Sequence, residues 1–236
     1  IVLRAKIDTP IITSFGTIPE RAVLLVRVED KDGAVRWGEI FGNFPMHGAE
    51  NRAHLVRDYI APIALSEEWE SPAHAFEAMT RKTHIMTLQS GEPGSFAQAI
   101  AGVDIALWDL TGKVYNLPVY KMLGGAVRDR VRAYTHAGDL RGGWDAIDQG
   151  FSAFKTGGWD LAKGAFHEKD VVDDLHEKIK AMRAQLGPDI QIMIDNHGRS
   201  RPSVANRQIA AVEEFDITFF EEPVPPDNLD AMEQIR

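Results

Sequence analysis

Two apolar runs in this sequence end in acid. Ile190–Ile194 stops at Asp195 and His197, and Ile217–Phe220 stops at Glu221 and Glu222. Both runs read as buried strands. Side chains alternate along a strand, which puts Asp195 and His197 on one face. Glu221 then shares its face with Phe219, and Glu222 points the other way. Carboxylates at the C-terminal ends of successive parallel strands converge on the mouth of an α/β barrel, where such a fold does its chemistry. Two or three oxygen ligands there suit Mg²⁺ far better than Zn²⁺.

The elements that must position these groups follow from periodicity. From residue 131 onward strands alternate with helices. Strands are expected at Val131–His136, Phe151–Thr156, Ile190–Asp195 and Ile217–Phe220. A helix over 168–186 carries Val172, Leu175, Ile179, Met182 and Leu186 at three- and four-residue spacing, one apolar stripe. Its acidic first turns and basic last turns complement the helix dipole, and Gly187-Pro188 stops it. A second helix is expected to open at Ser203. Alternation of this kind predicts a parallel sheet.

The first 130 residues read differently. Ala22–Glu29, the turn signal Asp32-Gly33 and Ala34–Ile40 predict a β-hairpin. Pro10–Pro19, with Ser14, Gly16 and Thr17, and Gly42–Gly48 read as surface turns. Residues 50–88 look helical, broken at Pro62 and Pro72. Ser95 with Gln98 has the form of a capping box opening a helix whose face carries Ile100, Val103, Leu107, Leu110 and Val114, with Pro118 marking its end. Asp104 and Asp109 in that helix read as structural or solvated carboxylates.

Composition bounds the function. The chain has 236 residues, 44% of them hydrophobic and 26% charged, the balance of a soluble globular protein of one large or two modest domains. A net charge of -9 argues against a nucleic-acid partner and against an anionic membrane surface. No cysteine is present, so disulfide and thiolate chemistry are excluded and a cytoplasmic setting is expected. No apolar run reaches the roughly 20 residues of a membrane span, and no basic-then-apolar leader is seen.

The ordered motifs resemble the enolase superfamily, in its mandelate racemase and muconate lactonizing enzyme branch. A-G-V-D-I-A-L-W-D-L-T-G-K at 101–113 and L-P-V-Y-K-M-L-G-G at 117–125 are similar to that family's helix and linker before the barrel, and I-M-I-D-N-H-G and F-F-E-E-P to its first two ligand strands. The resemblance implies an α+β capping domain, here residues 1–130, followed by a modified (β/α) barrel, here residues 131–236. It implies Mg²⁺ held by three carboxylates, with Asp195 and Glu221 matching the first two. It implies removal of the proton α to a substrate carboxylate through an enediolate.

Two departures from the family pattern are informative. Lys155 stands where the family often has Lys-x-Lys, but Gly157 replaces the second lysine, which counts against simple two-base racemisation. Lys155 itself is left between proton-transfer chemistry and a salt bridge in the barrel mouth. The Asp-x-His-Gly-Arg sequence at 195–199 is similar to the galactonate-dehydratase type of acid-sugar dehydratase, which implies that His197 protonates a departing β-hydroxyl. Asn196 and Arg199 receive no role.

A complete barrel takes roughly 250 residues, and about a hundred follow the capping region. The resemblance therefore implies only the first half of a barrel, about four strands, in a chain that is not catalytically competent by itself. The third metal ligand and the family's His-Asp base have no counterpart in it. The expected function is Mg²⁺-dependent dehydration of a small sugar acid by a homo-oligomer. The rivals are a racemase or epimerase of a hydroxy or amino acid, and an inert binding or scaffold protein on the same fold.

Overall fold

Strand, turn and helix signals separate into two compact units, Ile1–Asp129 and Arg130–Arg236. The computed structural model describes residues 1–13, 16–158 and 167–235. In the first unit, β1 (Val2–Thr13), β2 (Gly16–Glu29) and β3 (Val35–Ile40) form an antiparallel sheet in that order. The β2–β3 turn is closed by Asp30, whose Oδ1 accepts from the Asp32 and Ala34 amides at 3.0 and 2.8 Å, as short polar side chains do in turns.

The Pro10–Pro19 stretch is not the loop its composition suggests. Strand pairing resumes at Ile11 opposite Ile18 after a register shift between Lys6 and Ile11. Pro10 cannot donate to a ladder, and an irregularity beside it lets the strand continue. Ser14 lies outside the described residues.

The helices that follow are α1 (Gly48–Leu55), α2 (Ala61–Ala64), α3 (Pro72–Ser90), α4 (Pro93–Val114) and α5 (Val119–Met122). Pro62 does not break the first of these. A wider π turn, Val56–Ile60, carries the helix from α1 into α2, and extra room ahead of a proline relieves the clash its ring makes with the preceding turn. Helix α3 starts at Pro72, with Ser71 Oγ accepting from the His74 amide at 3.2 Å. The expected Ser95 capping box does not form, because α4 already begins at Pro93, whose fixed φ suits a first helical position. Gln98 instead accepts from Arg52 Nε.

Met79, Phe96, Ile100 and Val103 are buried in one cluster between α3 and α4. Helix α4 also lies directly on β3. A Cβ on Gly38 would fall 2.0 Å from the Gly102 carbonyl oxygen, and one on Gly102 2.0 Å from Ile40 Cγ1. Only glycines permit this approach.

The second unit alternates β4 (Thr135–His136), α6 (Leu140–Asp148), β5 (Ala153–Gly157), α7 (Glu168–Leu186), β6 (Gln191–Asp195), α8 (Pro202–Val212), β7 (Phe220–Glu221) and α9 (Leu229–Glu233). The four strands are parallel and lie in chain order. All five apolar residues of the α7 stripe are buried; each stabilises by about 1.5–3 kcal/mol relative to exposure. Leu175, Ile179, Met182 and Leu186 pack with Phe154, Ile192 and Ile194.

The outer strands are shorter than expected. Val131 is exposed, and only Thr135 and His136 pair with β5. Before β7, Asp216 is left-handed at φ +51°. The Thr218 amide and the Phe219 carbonyl already bond to β6, but regular pairing starts at Phe220. Helix α8 opens at Pro202, one residue before Ser203.

Candidate active site

Strand register decides which side chains meet. Lys155 is level with Met193, Gly157 with Asp195, and Asp195 with Glu221. Period-two alternation then divides the sheet. Phe154, Ile192, Ile194 and Phe220 face the helices, and Lys155, Asp195 and Glu221 share the opposite face at the strand C-termini.

The three side chains converge. Lys155 Nζ lies 2.8 Å from Asp195 Oδ2 and 3.0 Å from Glu221 Oε2, with Glu221 Oε1 at 3.1 Å. Asp195 is buried, while Glu221 is more open. Burial on its own would lower the Lys155 pKa. Hydrogen bonds and charge attraction from Asp195 and Glu221 outweigh it, and the ammonium is held well above the ordinary lysine range. In this structure Lys155 is thus the salt-bridge partner of two carboxylates.

His197 also reaches Asp195, with Nε2 3.1 Å from Oδ2. The route differs from simple alternation. Strand β6 ends at Asp195, and His197 is left-handed at φ +52°. Its amide donates to Asp195 Oδ1 at 3.1 Å. The chain therefore folds back over its own carboxylate, and a tight turn brings the imidazole to it.

Two neighbours were not singled out by residue type. His136 ends β4 level with Lys155. Partial burial, then the Lys155 charge, lowers its pKa. A histidine closing an expected strand was the available signal. Asn196, between Asp195 and His197, is wholly buried. Alternation turns it away from the carboxylates, so nothing in its type marked it. Arg199 donates from Nε to the Asn196 carbonyl at 2.8 Å.

The donor set fits a hard cation. Asp195 and Glu221 are direct register partners whose oxygens already converge on one positive charge, and Mg²⁺ is commonly bound by one or two carboxylates with waters filling its remaining positions. Among the described residues no group of three or more His, Asp or Glu side chains is placed to hold a metal ion, so these two carboxylates would supply only part of a cation's ligands.

The second unit is thus a four-stranded parallel α/β sheet with a carboxylate-lysine-histidine cluster at its C-terminal edge, in a chain that also carries an α+β unit. Residues 1–124 match the family model for the mandelate racemase / muconate lactonizing enzyme N-terminal domain, and residues 140–236 the enolase C-terminal domain-like model. The chain belongs to the mandelate racemase / muconate lactonizing enzyme family of the enolase superfamily.

It is 31% identical over 241 residues to the D-galactarolactone cycloisomerase of Agrobacterium fabrum, covering 100% of this chain and 60% of that protein. It is 32% identical over 216 residues to the D-galactonate dehydratase of Ralstonia nicotianae, covering 88% of this chain and 53% of that one. Among solved structures, an enolase from Bradyrhizobium complexed with magnesium and mandelic acid aligns with a TM-score of 0.80 at 30% identity, over 100% of this chain and 62% of that one. The chain thus spans somewhat more than half the length of the curated relatives it matches.

Proposed function

We propose that the full-length protein is a Mg²⁺-dependent dehydratase of a small sugar acid. The observation that carries this reading is the pairing of Asp195 and Glu221 in register, both on one cation, with His197 held against Asp195. The Asp-x-His-Gly-Arg sequence, the dehydratase and cycloisomerase relatives and the magnesium- and mandelate-bound neighbour support it.

In this reading Asp195 and Glu221 hold the metal. When bound, Mg²⁺ supplies positive charge beside the substrate carboxylate, which favours loss of the proton α to it. Lys155 brings a second positive charge to the same edge and orients that carboxylate. Once a general base has taken the α-proton, the electron pair left behind forms the bond between the α- and β-carbons as the bond from the β-carbon to its hydroxyl breaks. His197 gives its proton to the departing oxygen, so that water leaves and a 2-keto-3-deoxy acid remains once the enol has taken up a proton. An imidazole is suited to this because its ordinary pKa lies near neutrality.

The test is His197→Asn in the full-length protein. Asn keeps polarity and reach but supplies no proton. General acid catalysis is worth about 10²–10⁴-fold, so dehydration falls by that factor while exchange of the α-hydrogen in D₂O continues. An equal fall in both rates would place His197 at or before proton abstraction and overturn its assignment.

A further inference from the structure

Asn196 has no part in the chemistry above, yet it is completely buried between two residues that do. Its Nδ2 donates to the Pro223 carbonyl at 3.0 Å and to Ser200 Oγ at 3.0 Å. Its backbone amide donates to the Glu221 carbonyl at 3.0 Å, and the Gly198 amide to the Glu222 carbonyl at 2.8 Å. The segment after β6 is thereby laced to the segment after β7. The side-chain bond to Pro223 extends this lacing beyond the last strand pair, Asp195 with Glu221.

The segments being joined are strained. His197 and Glu222 are both left-handed, at φ +52° and +44°, a conformation that is unfavourable for a residue with a Cβ. Such conformations persist where surrounding contacts over-determine them. Space around Asn196 is equally constrained. A Cβ on Gly158 would fall 2.9 Å from Asn196 Oδ1, while the Gly158 amide donates to the Asp195 carbonyl at 2.8 Å. Ends of three strands, β5, β6 and β7, thus meet around one amide side chain.

We propose that Asn196 is a positioning residue: its side chain clasps the ends of β6 and β7 and so sets the spacing of Asp195, His197 and Glu221. The inference rests on the metal-site reading above. Asn196 lies on the opposite face from the carboxylates and acts through the backbone, so its removal changes the geometry of the metal ligands without deleting one of them. Hydrogen-bonded supports of this kind typically contribute 10–100-fold to metal affinity.

The same network contains its own control. Ser200 Oγ passes the chain of bonds to Gln208 Oε1 at 2.7 Å. Gln208 is also wholly buried but sits on α8. A purely structural polar core predicts that Asn196 and Gln208 are equivalent. A positioning role predicts that they differ.

The experiment measures Mg²⁺ affinity calorimetrically in the full-length protein and in its folded Asn196→Ala and Gln208→Leu variants. The expected result is a 10–100-fold loss for Asn196→Ala and unchanged affinity for Gln208→Leu, even if both melt at lower temperature. Equal Mg²⁺ affinity in wild type and Asn196→Ala overturns the inference and leaves the metal-site reading standing. Equal losses in the two variants also overturn it. Absence of Mg²⁺ binding in the wild type overturns the metal-site reading and the inference with it. Should Asn196→Ala fail to fold, Ser200→Ala, which removes one of the two Nδ2 contacts, takes its place. It is then expected to weaken Mg²⁺ where Gln208→Leu does not, and equal behaviour of those two overturns the inference.

Discussion

Lys155 and Asp195 form an ion pair across neighbouring parallel strands, Nζ to Oδ2 2.8 Å, with side chains only 16% and 7% exposed. The pair is diagonal in register: Asp195 is level with Gly157, which offers no side chain, and Lys155 reaches across from two residues earlier. Removing the lysine leaves Asp195 and Glu221 facing each other without the ammonium between them, with the His197 contacts to Asp195 remaining. Breaking a buried pair costs about 3–5 kcal/mol, and less here because Glu221 is partly solvated. Lys155→Met is therefore expected to lower the melting temperature in metal-free buffer. Saturating Mg²⁺ should then raise it by more than in wild type, because the metal replaces the lost charge. Thermal melts with and without Mg²⁺ check this; an equal Mg²⁺ increment in both proteins would contradict it.

Asp195→Asn keeps the shape of the side chain and removes its charge. Disturbing the supports of a ligand costs about 10–100-fold in metal affinity, so neutralising the ligand itself is expected to cost at least about 100-fold. Calorimetric titration of the full-length variant with Mg²⁺ reads this directly. Unchanged affinity would show that Asp195 is not a ligand.

Asp104 offers a prediction about stability in the N-terminal unit. Burial raises its carboxyl pKa, and a hydrogen bond from Trp108 offsets only part of this. Its Oδ1 is buried with no partner. The folded-state pKa lies above the unfolded value of about 3.9, so folding binds a proton more readily than unfolding there. The destabilisation is absent below the unfolded pKa and complete above the folded one. Asp104→Asn should therefore stabilise the protein at pH 7, with the gain shrinking as pH falls toward 4. Urea unfolding at several pH values tests the sign, which a gain confined to acid would reverse.

Much of this architecture was legible because its causes are local. The α7 stripe is a matter of spacing, and all five of its apolar residues are buried as expected. Asp195 and Glu221 could be placed together because parallel strands end their chemistry at one edge, and Lys155 was found through its resemblance to a family Lys-x-Lys position. The failures arose where a local signal met a competing one. Ser95 had the form of a cap, but Pro93 started the helix first. Pro10 looked like a turn, but a register shift absorbed it. His197 reached Asp195 by a left-handed turn and not by strand alternation. Asn196 was illegible because its importance lies in a contact with Pro223, 27 residues away, which only strand pairing creates.

The most direct test of the account is product analysis. The full-length protein is incubated with a panel of aldonates and aldarates in D₂O and followed by NMR, with Mg²⁺ and after its removal by a chelator. The account predicts that at least one substrate yields a 2-keto-3-deoxy acid with Mg²⁺ and none without it. Deuterium exchange with inversion of the substrate and no keto acid would contradict it in favour of an isomerase. Tight Mg²⁺ binding with no exchange at any α-carbon would contradict it in favour of an inert binding protein on the same fold.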